Sequence, residues 1–174
     1  FPGKNLVVLD CSGSMWISQD PNPIQIGSLF AACIARRTNA DTMCFGNHAE
    51  YVRTNLSDSL FTIANALGCR NFGGTDYRSW VNNMNKAYDR IFVLSDGEAW
   101  EGWKVAEAHM KTYRSNFQAN PSVFNFDLAG NGTMQFPEKK TYCLAGFSDK
   151  TLELLQMLEE DKSALIHKIE AVKL

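Results

Sequence analysis

The chain has 174 residues, of which 45% are hydrophobic and 21% charged, and its formal net charge is -2. This length suffices for a full hydrophobic core, so we expect one domain that spans residues 1–174. The near-neutral charge argues against strong, sequence-independent nucleic-acid binding by this chain alone. No apolar run is long enough to cross a membrane, and we expect no membrane partner.

The five cysteines indicate the compartment. Their number is odd, they are scattered through mostly apolar stretches, and none forms a Cys-x-x-Cys pair. This usage is typical of reduced, buried thiols in an intracellular protein, so we expect a cytoplasmic location. The three histidines lie far apart, and we do not expect a zinc site.

The first half of the chain begins with a strand that is apolar on both faces. Leu6 to Leu9 run directly into Asp10, which is typical of a buried parallel strand. The elements predicted after it are a loop over Gln19–Pro23, a helix over Ile24–Arg37, strands over Thr42–Phe45 and Tyr51–Thr54, and a helix to Leu67. The two strands form a hairpin around Gly46 and Asn47 at an edge of the sheet. Ser57 or Asp58 is predicted to cap the helix that follows.

The second half repeats this alternation. The predicted elements are a helix over Tyr77–Tyr88 capped by Asp76, a strand over Ile91–Leu94, a helix to Tyr113, a strand over Ser122–Leu128, a turn over Gly130–Gly132, a strand over Thr141–Ala145 and a helix over Asp149–Val172. Alternating strands and helices predict an α/β fold. We expect a doubly wound, mostly parallel sheet with helices on both faces and one antiparallel edge strand.

Oxygen-bearing side chains follow the buried strands. Asp10, Ser12 and Ser14 alternate directly after the first strand, so their oxygens can aim at one point. Thr75 precedes a predicted helix, and Asp96 follows the strand at Ile91–Leu94. Ligands bind at the carboxyl ends of parallel strands in open α/β sheets. Carboxylate and hydroxyl oxygens suit a hard cation, Mg2+ above all.

These three loops together resemble the von Willebrand factor A (vWA) domain and its metal-ion-dependent adhesion site (MIDAS). The family pattern is Asp-x-Ser-x-Ser, a threonine in a second loop and an aspartate after a later strand. Its positions are filled here by Asp10, Ser12, Ser14, Thr75 and Asp96. The resemblance implies that the hydroxyls bind Mg2+ directly and that the aspartates bind it directly or through water. Mn2+ or another divalent cation is also compatible with such a site.

A finer resemblance is to the vWA domain of TROVE-type Ro ribonucleoproteins. It is carried by DCSGSM, GGTDYRSW and IFVLSDGEAWEG, which begin at Asp10, Gly73 and Ile91. In that family a ring of helical repeats binds small noncoding RNA, and this chain contains no such repeats. The resemblance therefore implies an accessory domain of a larger RNA-binding protein. The coordination position left open would accept an acidic protein ligand or a phosphate.

Two other classes were weighed. One is a protein-interaction vWA domain of another kind, either an adhesion module or a subunit of an AAA-type chaperone or metal chelatase. The other is an enzyme, which we do not expect, because the chain has neither a Gly-x-Ser-x-Gly nucleophile elbow nor a P-loop. Haloacid-dehalogenase phosphatases place an aspartate where Ser12 stands, so their general acid is missing here.

Overall fold

The computed structural model describes residues 2–17, 20–97, 103–130, 140–146, 150–160 and 171. Within these ranges the strands are β1 (Asn5–Asp10), β2 (Asp41–Phe45), β3 (Ala49–Val52), β4 (Arg90–Ser95), β5 (Ser122–Asp127) and β6 (Thr141–Ala145). They form one sheet in the order β3-β2-β1-β4-β5-β6. Every neighbouring pair is parallel except β2 with β3. The predicted mostly parallel sheet with an antiparallel edge strand is confirmed.

Helices cover both faces of this sheet. In the described part of the chain they are α1 (Pro23–Thr38), α2 (Leu60–Gly68), α3 (Tyr77–Asn83), α4 (Trp103–Phe117) and α5 (Thr151–Glu160). The core on one face includes buried side chains of α1, α2 and α5, and the core on the other includes those of α3 and α4. None of these described helices is long and apolar enough to span a membrane.

Strand β1 lies in the middle of the sheet, and all six of its residues are buried. Successive side chains of a strand point to opposite faces, so Val7 and Leu9 enter one core while Leu6 and Val8 enter the other. This is why the run Leu6–Leu9 is apolar without alternation. The strand therefore delivers Asp10 to the carboxyl edge of the sheet from a rigid, fully packed element.

Local hydrogen bonds explain where the helices begin. Asn22 and Gln25 form a reciprocal capping box at the start of α1, so Pro23 belongs to the helix and not to the predicted loop. The Asp76 side chain accepts a hydrogen bond from the Arg78 amide and caps α3, as predicted. The predicted cap of α2 is wrong, because Ser59 caps it and not Ser57 or Asp58. Asp58 instead accepts a hydrogen bond from the Asn55 side chain.

Other boundaries also differ from the prediction, most of them by one or two residues. β3 begins at Ala49 and not at Tyr51, because Ala49 already pairs with Phe45. α3 ends at Asn83 and does not reach Tyr88, whose amide donates to the Tyr113 hydroxyl. α4 continues beyond Tyr113 to Phe117. The predicted turn at Gly130–Gly132 and the helix over Asp149–Val172 lie partly outside the described residues.

We predict that Phe92→Ala lowers the free energy of unfolding by about 3–5 kcal/mol, because it leaves a cavity in the core. Phe92 is fully buried on β4 and stacks on Phe124 with ring centroids 5.4 Å apart. The matched control is Phe61→Ala, since Phe61 is 73% exposed and should cost less than about 0.5 kcal/mol. Urea unfolding measures both, and equal losses would contradict this description of the core.

Candidate metal centre

Asp10 and Ser95 meet at the carboxyl ends of the two central strands, β1 and β4. The Ser95 hydroxyl donates to Asp10 Oδ2 at 2.7 Å, and the Ser12 amide donates to Asp10 Oδ1 at 2.9 Å. Asp10 is 0% exposed. Both carboxylate oxygens are therefore held in place by neutral donors inside the protein.

The two predicted serines come together in the loop after β1. A single turn of 3-10 helix over Gly13–Trp16 follows Ser12. It brings the Ser12 and Ser14 hydroxyl oxygens to 3.2 Å from each other. Ser12 is buried and Ser14 partly buried, so this hydroxyl pair lies at the inner end of the loop.

Thr75 lies in the loop between α2 and α3, which backbone hydrogen bonds join to the loop after β1. The Gly13 amide donates to the Gly73 carbonyl at 2.6 Å, and the Phe72 amide donates to the Cys11 carbonyl at 2.8 Å. Thr75 itself is partly buried. In the described part of the chain no hydrogen bond joins its hydroxyl to the other predicted ligands. The structure thus places Thr75 in the adjacent loop, which is joined to the loop after β1 through backbone atoms.

Gly46, in the turn between β2 and β3, supports the same loop. A Cβ at this position would lie 2.5 Å from the Phe72 Cβ and 3.0 Å from the Gly74 carbonyl oxygen. The Asp76 amide also donates to the Gly46 carbonyl at 3.1 Å. A glycine is therefore required here for the Thr75 loop to pack closely.

Asp96 directly follows Ser95 and is only 3% exposed. Burial raises the pKa of Asp10 and the charge of Asp96 adds to this effect, whereas the hydrogen bonds from Ser95 and Ser12 lower it, so that the pKa lies at about 6. Among the described residues no cationic side chain forms an ion pair with Asp10. Two acidic groups therefore share a buried edge where a divalent cation would offset their charge.

The donor set is made of oxygen alone. Asp10 and Asp96 supply carboxylates, and Ser12, Ser14 and Thr75 supply hydroxyls, which are the ligands that Mg2+ prefers. In the described ranges no cluster of three or more His, Cys, Asp or Glu side chains is placed to hold a metal ion. A cation at this edge would therefore depend on the hydroxyls, and the residues present fit Mg2+.

Sequence reasoning missed several residues that shape this edge. It assigned Ser95 no role as the hydrogen-bond donor to Asp10. Burial raises the pKa of Tyr77, and the Asp10 charge adds to this effect, so its hydroxyl stays neutral beside the site. His48 packs its ring against Phe72 at 4.1 Å between centroids. The packing partners of Tyr77 and His48 are distant in sequence, so no local pattern indicated them.

The remaining residues around the loop after β1 differ in burial. Met15 and Cys11 are fully buried under the loop. Trp80 is a core residue, whereas Trp16 is 39% exposed next to the candidate site. The cysteines are free, but Cys69 and Cys143 are exposed, so the expectation of buried thiols fails for these two.

We predict that Asp10→Asn raises the melting temperature of the metal-free domain near neutral pH. The pKa of Asp10 is raised when the protein folds, so the buried carboxylate destabilises the fold progressively as the pH rises toward about 6 and stays destabilising above it. The neutral amide removes this cost, which we expect to be about 1–3 kcal/mol. Thermal unfolding in EDTA measures it.

The Asp20→Asn change is the control for Asp10→Asn, because Asp20 is exposed, and it should leave the melting temperature unchanged. A metal-free Asp10→Asn protein that melts below the native protein would contradict the assignment of a destabilising charge.

Comparison with known proteins identifies the family. The family model described as the Ro60 vWA domain matches residues 4–158. No curated protein matches the chain. Among solved structures, the Deinococcus radiodurans Ro (RSR) protein is similar with a TM-score of 0.66 and 21% identity over 88% of this chain. The match spans only 33% of that protein's length.

Two further structures share the fold at lower identity. An aerotolerance-related membrane protein from Bacteroides fragilis has a TM-score of 0.59 and 14% identity, over 91% of this chain and 99% of its own. Proximal thread matrix protein 1 from the mussel byssus, with a zinc-occupied MIDAS motif, has a TM-score of 0.52 and 14% identity, over 94% of this chain and 45% of its own. These likenesses show the fold alone, whereas the family model covers most of the sequence. The chain therefore belongs to the Ro60 vWA domain family.

Proposed function

We propose that this domain binds Mg2+, or another divalent cation such as Mn2+, through Asp10, Ser12, Ser14, Thr75 and Asp96. The observation that carries the proposal is the fully buried Asp10 carboxylate, whose hydrogen-bond donors among the described residues are all neutral and which has a second acid, Asp96, nearby. Such an arrangement is costly without a compensating positive charge. A bound cation supplies that charge.

The second part of the proposal concerns the ligand. Mg2+ takes octahedral oxygen coordination and keeps positions for water or for a ligand. An acidic side chain of a protein partner, or a phosphate, would supply an oxygen to the open position. The mussel byssus protein described with a zinc-occupied MIDAS motif shares this fold, which supports a divalent cation as a ligand of this domain.

We propose binding and not catalysis as the role of the site. The Ser12 and Ser14 hydroxyls contact each other, and Ser95 donates to Asp10. In the described part of the chain no histidine forms a hydrogen bond with any of these serines. A hydroxyl nucleophile needs such a base to be activated, so the hydroxyls are better suited to metal coordination.

The larger context follows from the family. We propose that the chain is the accessory domain of a Ro-type protein that binds noncoding RNA through helical repeats outside this chain. The match to a third of the Deinococcus Ro protein supports this. The five free cysteines support a cytoplasmic location.

We predict that Mg2+ raises the melting temperature of the native domain in a concentration-dependent way. A ligand at 100 times its dissociation constant stabilises the folded state by about 2.7 kcal/mol, which corresponds to several degrees. Thr75→Val keeps the side-chain shape but removes the hydroxyl, and we expect it to weaken the response strongly. Asp10→Asn should abolish the response.

Thr112→Val is the matched control for Thr75→Val. Thr112 is exposed on α4, where its hydroxyl donates only to the Ala108 carbonyl. Its response to Mg2+ should equal that of the native domain. A flat native response, or an unchanged response in Thr75→Val and Asp10→Asn, would refute the metal site.

We also predict that this domain alone binds small structured RNA weakly at physiological salt. Its formal net charge is -2, and phosphate neutralisation by Lys and Arg dominates RNA affinity. Fluorescence anisotropy with a labelled hairpin RNA measures this. Tight binding that weakens steeply with salt would show that the domain itself carries the RNA site. Should the full-length protein also fail to bind RNA, the alternative role as another kind of protein-interaction vWA domain would be favoured.

A further inference from the structure

A surface groove opens between α1 and α2, beside the loop that carries Ser12 and Ser14. Its volume is about 260 Å³. Three apolar side chains and three side-chain amides line most of it: Trp16, Ile24 and Ala64, and Asn22, Gln25 and Asn65. We call it the α1–α2 groove. Pockets for small molecules have volumes of about 300 Å³ or more, so this groove is smaller than most of them. Its volume suits one or two side chains of a peptide.

The groove has a rigid frame. Gly68 on α2 packs against α1, where a Cβ would lie 2.9 Å from the Ser28 Cβ, so the two helices touch at this end. The Trp16 indole nitrogen donates to the Arg70 carbonyl at 3.2 Å, which fixes the ring while 39% of the residue stays exposed. The groove is therefore part of the folded structure and does not depend on a loose side chain.

The amides at the groove have unused hydrogen-bond donors. In the capping box the Asn22 and Gln25 side chains use their carbonyl oxygens as acceptors, each at 3.0 Å. Their NH2 groups, and both ends of the exposed Asn65 amide, have no hydrogen-bond partner among the described residues. Donors beside an apolar wall suit the backbone carbonyls of an extended peptide with one side chain inserted.

The charge of the lining favours protein over RNA as the occupant. None of the groove residues carries a formal charge. Arg70 lies nearby but is paired with Glu50 at 2.7 Å. A groove for single-stranded nucleic acid needs a basic track for the phosphates, and the described lining has none.

The position of Trp16 joins this groove to the metal centre. Trp16 ends the turn that carries Ser14, two residues away, and Ile17 beside it is 49% exposed. The groove and the candidate metal site therefore share one turn of the chain, with Ser14 on the metal side and Trp16 on the groove side. An exposed tryptophan of this kind becomes buried when a partner binds, and such aromatic anchors contribute much of the affinity of protein interfaces.

We propose that the α1–α2 groove binds an extended segment of a protein partner, which places an apolar side chain between the helices and a nearby carboxylate on the cation. The inference rests on the proposed metal site and deepens it, because it names the class of ligand. The groove then determines which peptide sequence binds. The cation contributes an attraction that any acidic side chain would meet equally well.

The experiment uses the 174-residue chain and a displayed library of peptides that have one fixed Asp between randomised positions. Selection in Mg2+ with elution by EDTA should enrich an aromatic or large aliphatic residue at a constant distance from the Asp. Asn65→Trp fills the groove from the exposed face of α2 and should weaken an enriched peptide at least tenfold. It should leave the Mg2+ shift in melting temperature unchanged.

Two controls lie within the chain. Asn116→Trp makes the same change at an exposed position of α4 and should leave peptide binding unchanged. Cys69 lines the groove and is exposed, whereas Cys143 is exposed on β6 away from it. The bound peptide should slow alkylation of Cys69 by N-ethylmaleimide and leave that of Cys143 unaffected.

Several results would overturn the inference. If enriched peptides share only the Asp, or if Asn65→Trp binds them as the native chain does, the groove is not the binding surface and the metal site still stands. Binding that survives EDTA would break the link between groove and cation. Protection of Cys69 by single-stranded RNA and not by peptide would assign the groove to nucleic acid. A native chain that shows no Mg2+ shift would refute the metal site itself.

Discussion

The buried carboxylate of Asp10 is the constraint around which this end of the molecule is organised. Removing a carboxylate from water is costly unless donors or a cation compensate for it. Here the Ser95 hydroxyl and the Ser12 amide each donate to one of its oxygens. These contacts join the end of β4 and the loop after β1 to a single side chain. The compensation is only partial, because the pKa of Asp10 is still raised to about 6.

The parallel sheet makes this arrangement possible. β1 and β4 are central, adjacent and buried on both faces, so both strands deliver their last residues to the same edge. The helices that cover one face, α1 and α2, also form the groove beside that edge. The core, the charged site and the apolar groove are therefore consequences of one topology, and none of them needs a separate domain.

Much of this architecture could be predicted from local sequence. The uninterrupted apolar runs at Leu6–Leu9 and Ile91–Leu94 gave β1 and β4, and the cap at Asp76 was correct. The prediction failed where distant or competing contacts decide the outcome. The Asp58 side chain accepts a hydrogen bond from Asn55, and Ser59 caps α2 in its place. Beyond the end of α3, the Tyr88 amide donates a hydrogen bond to the Tyr113 hydroxyl. After β1 the Ser12 and Ser14 hydroxyl oxygens lie 3.2 Å apart and the Ser12 amide donates to Asp10, whereas the Thr75 loop is joined to this loop through backbone atoms, which leave no side-chain signal in the sequence. Metal binding by these residues stays a prediction.

The close packing at Gly46 has a consequence for how such a site is kept or lost in evolution. The loops that carry the oxygen ligands are joined through backbone amides and carbonyls, which tolerate many changes of side chain. At Gly46, however, a single added methyl group would lie 2.5 Å from the Cβ of Phe72. One substitution at Gly46, in a turn that contributes no ligand, could therefore abolish metal binding in a relative that keeps all five oxygen-bearing residues. An intact ligand motif alone is thus an incomplete criterion for a working site in relatives of this domain.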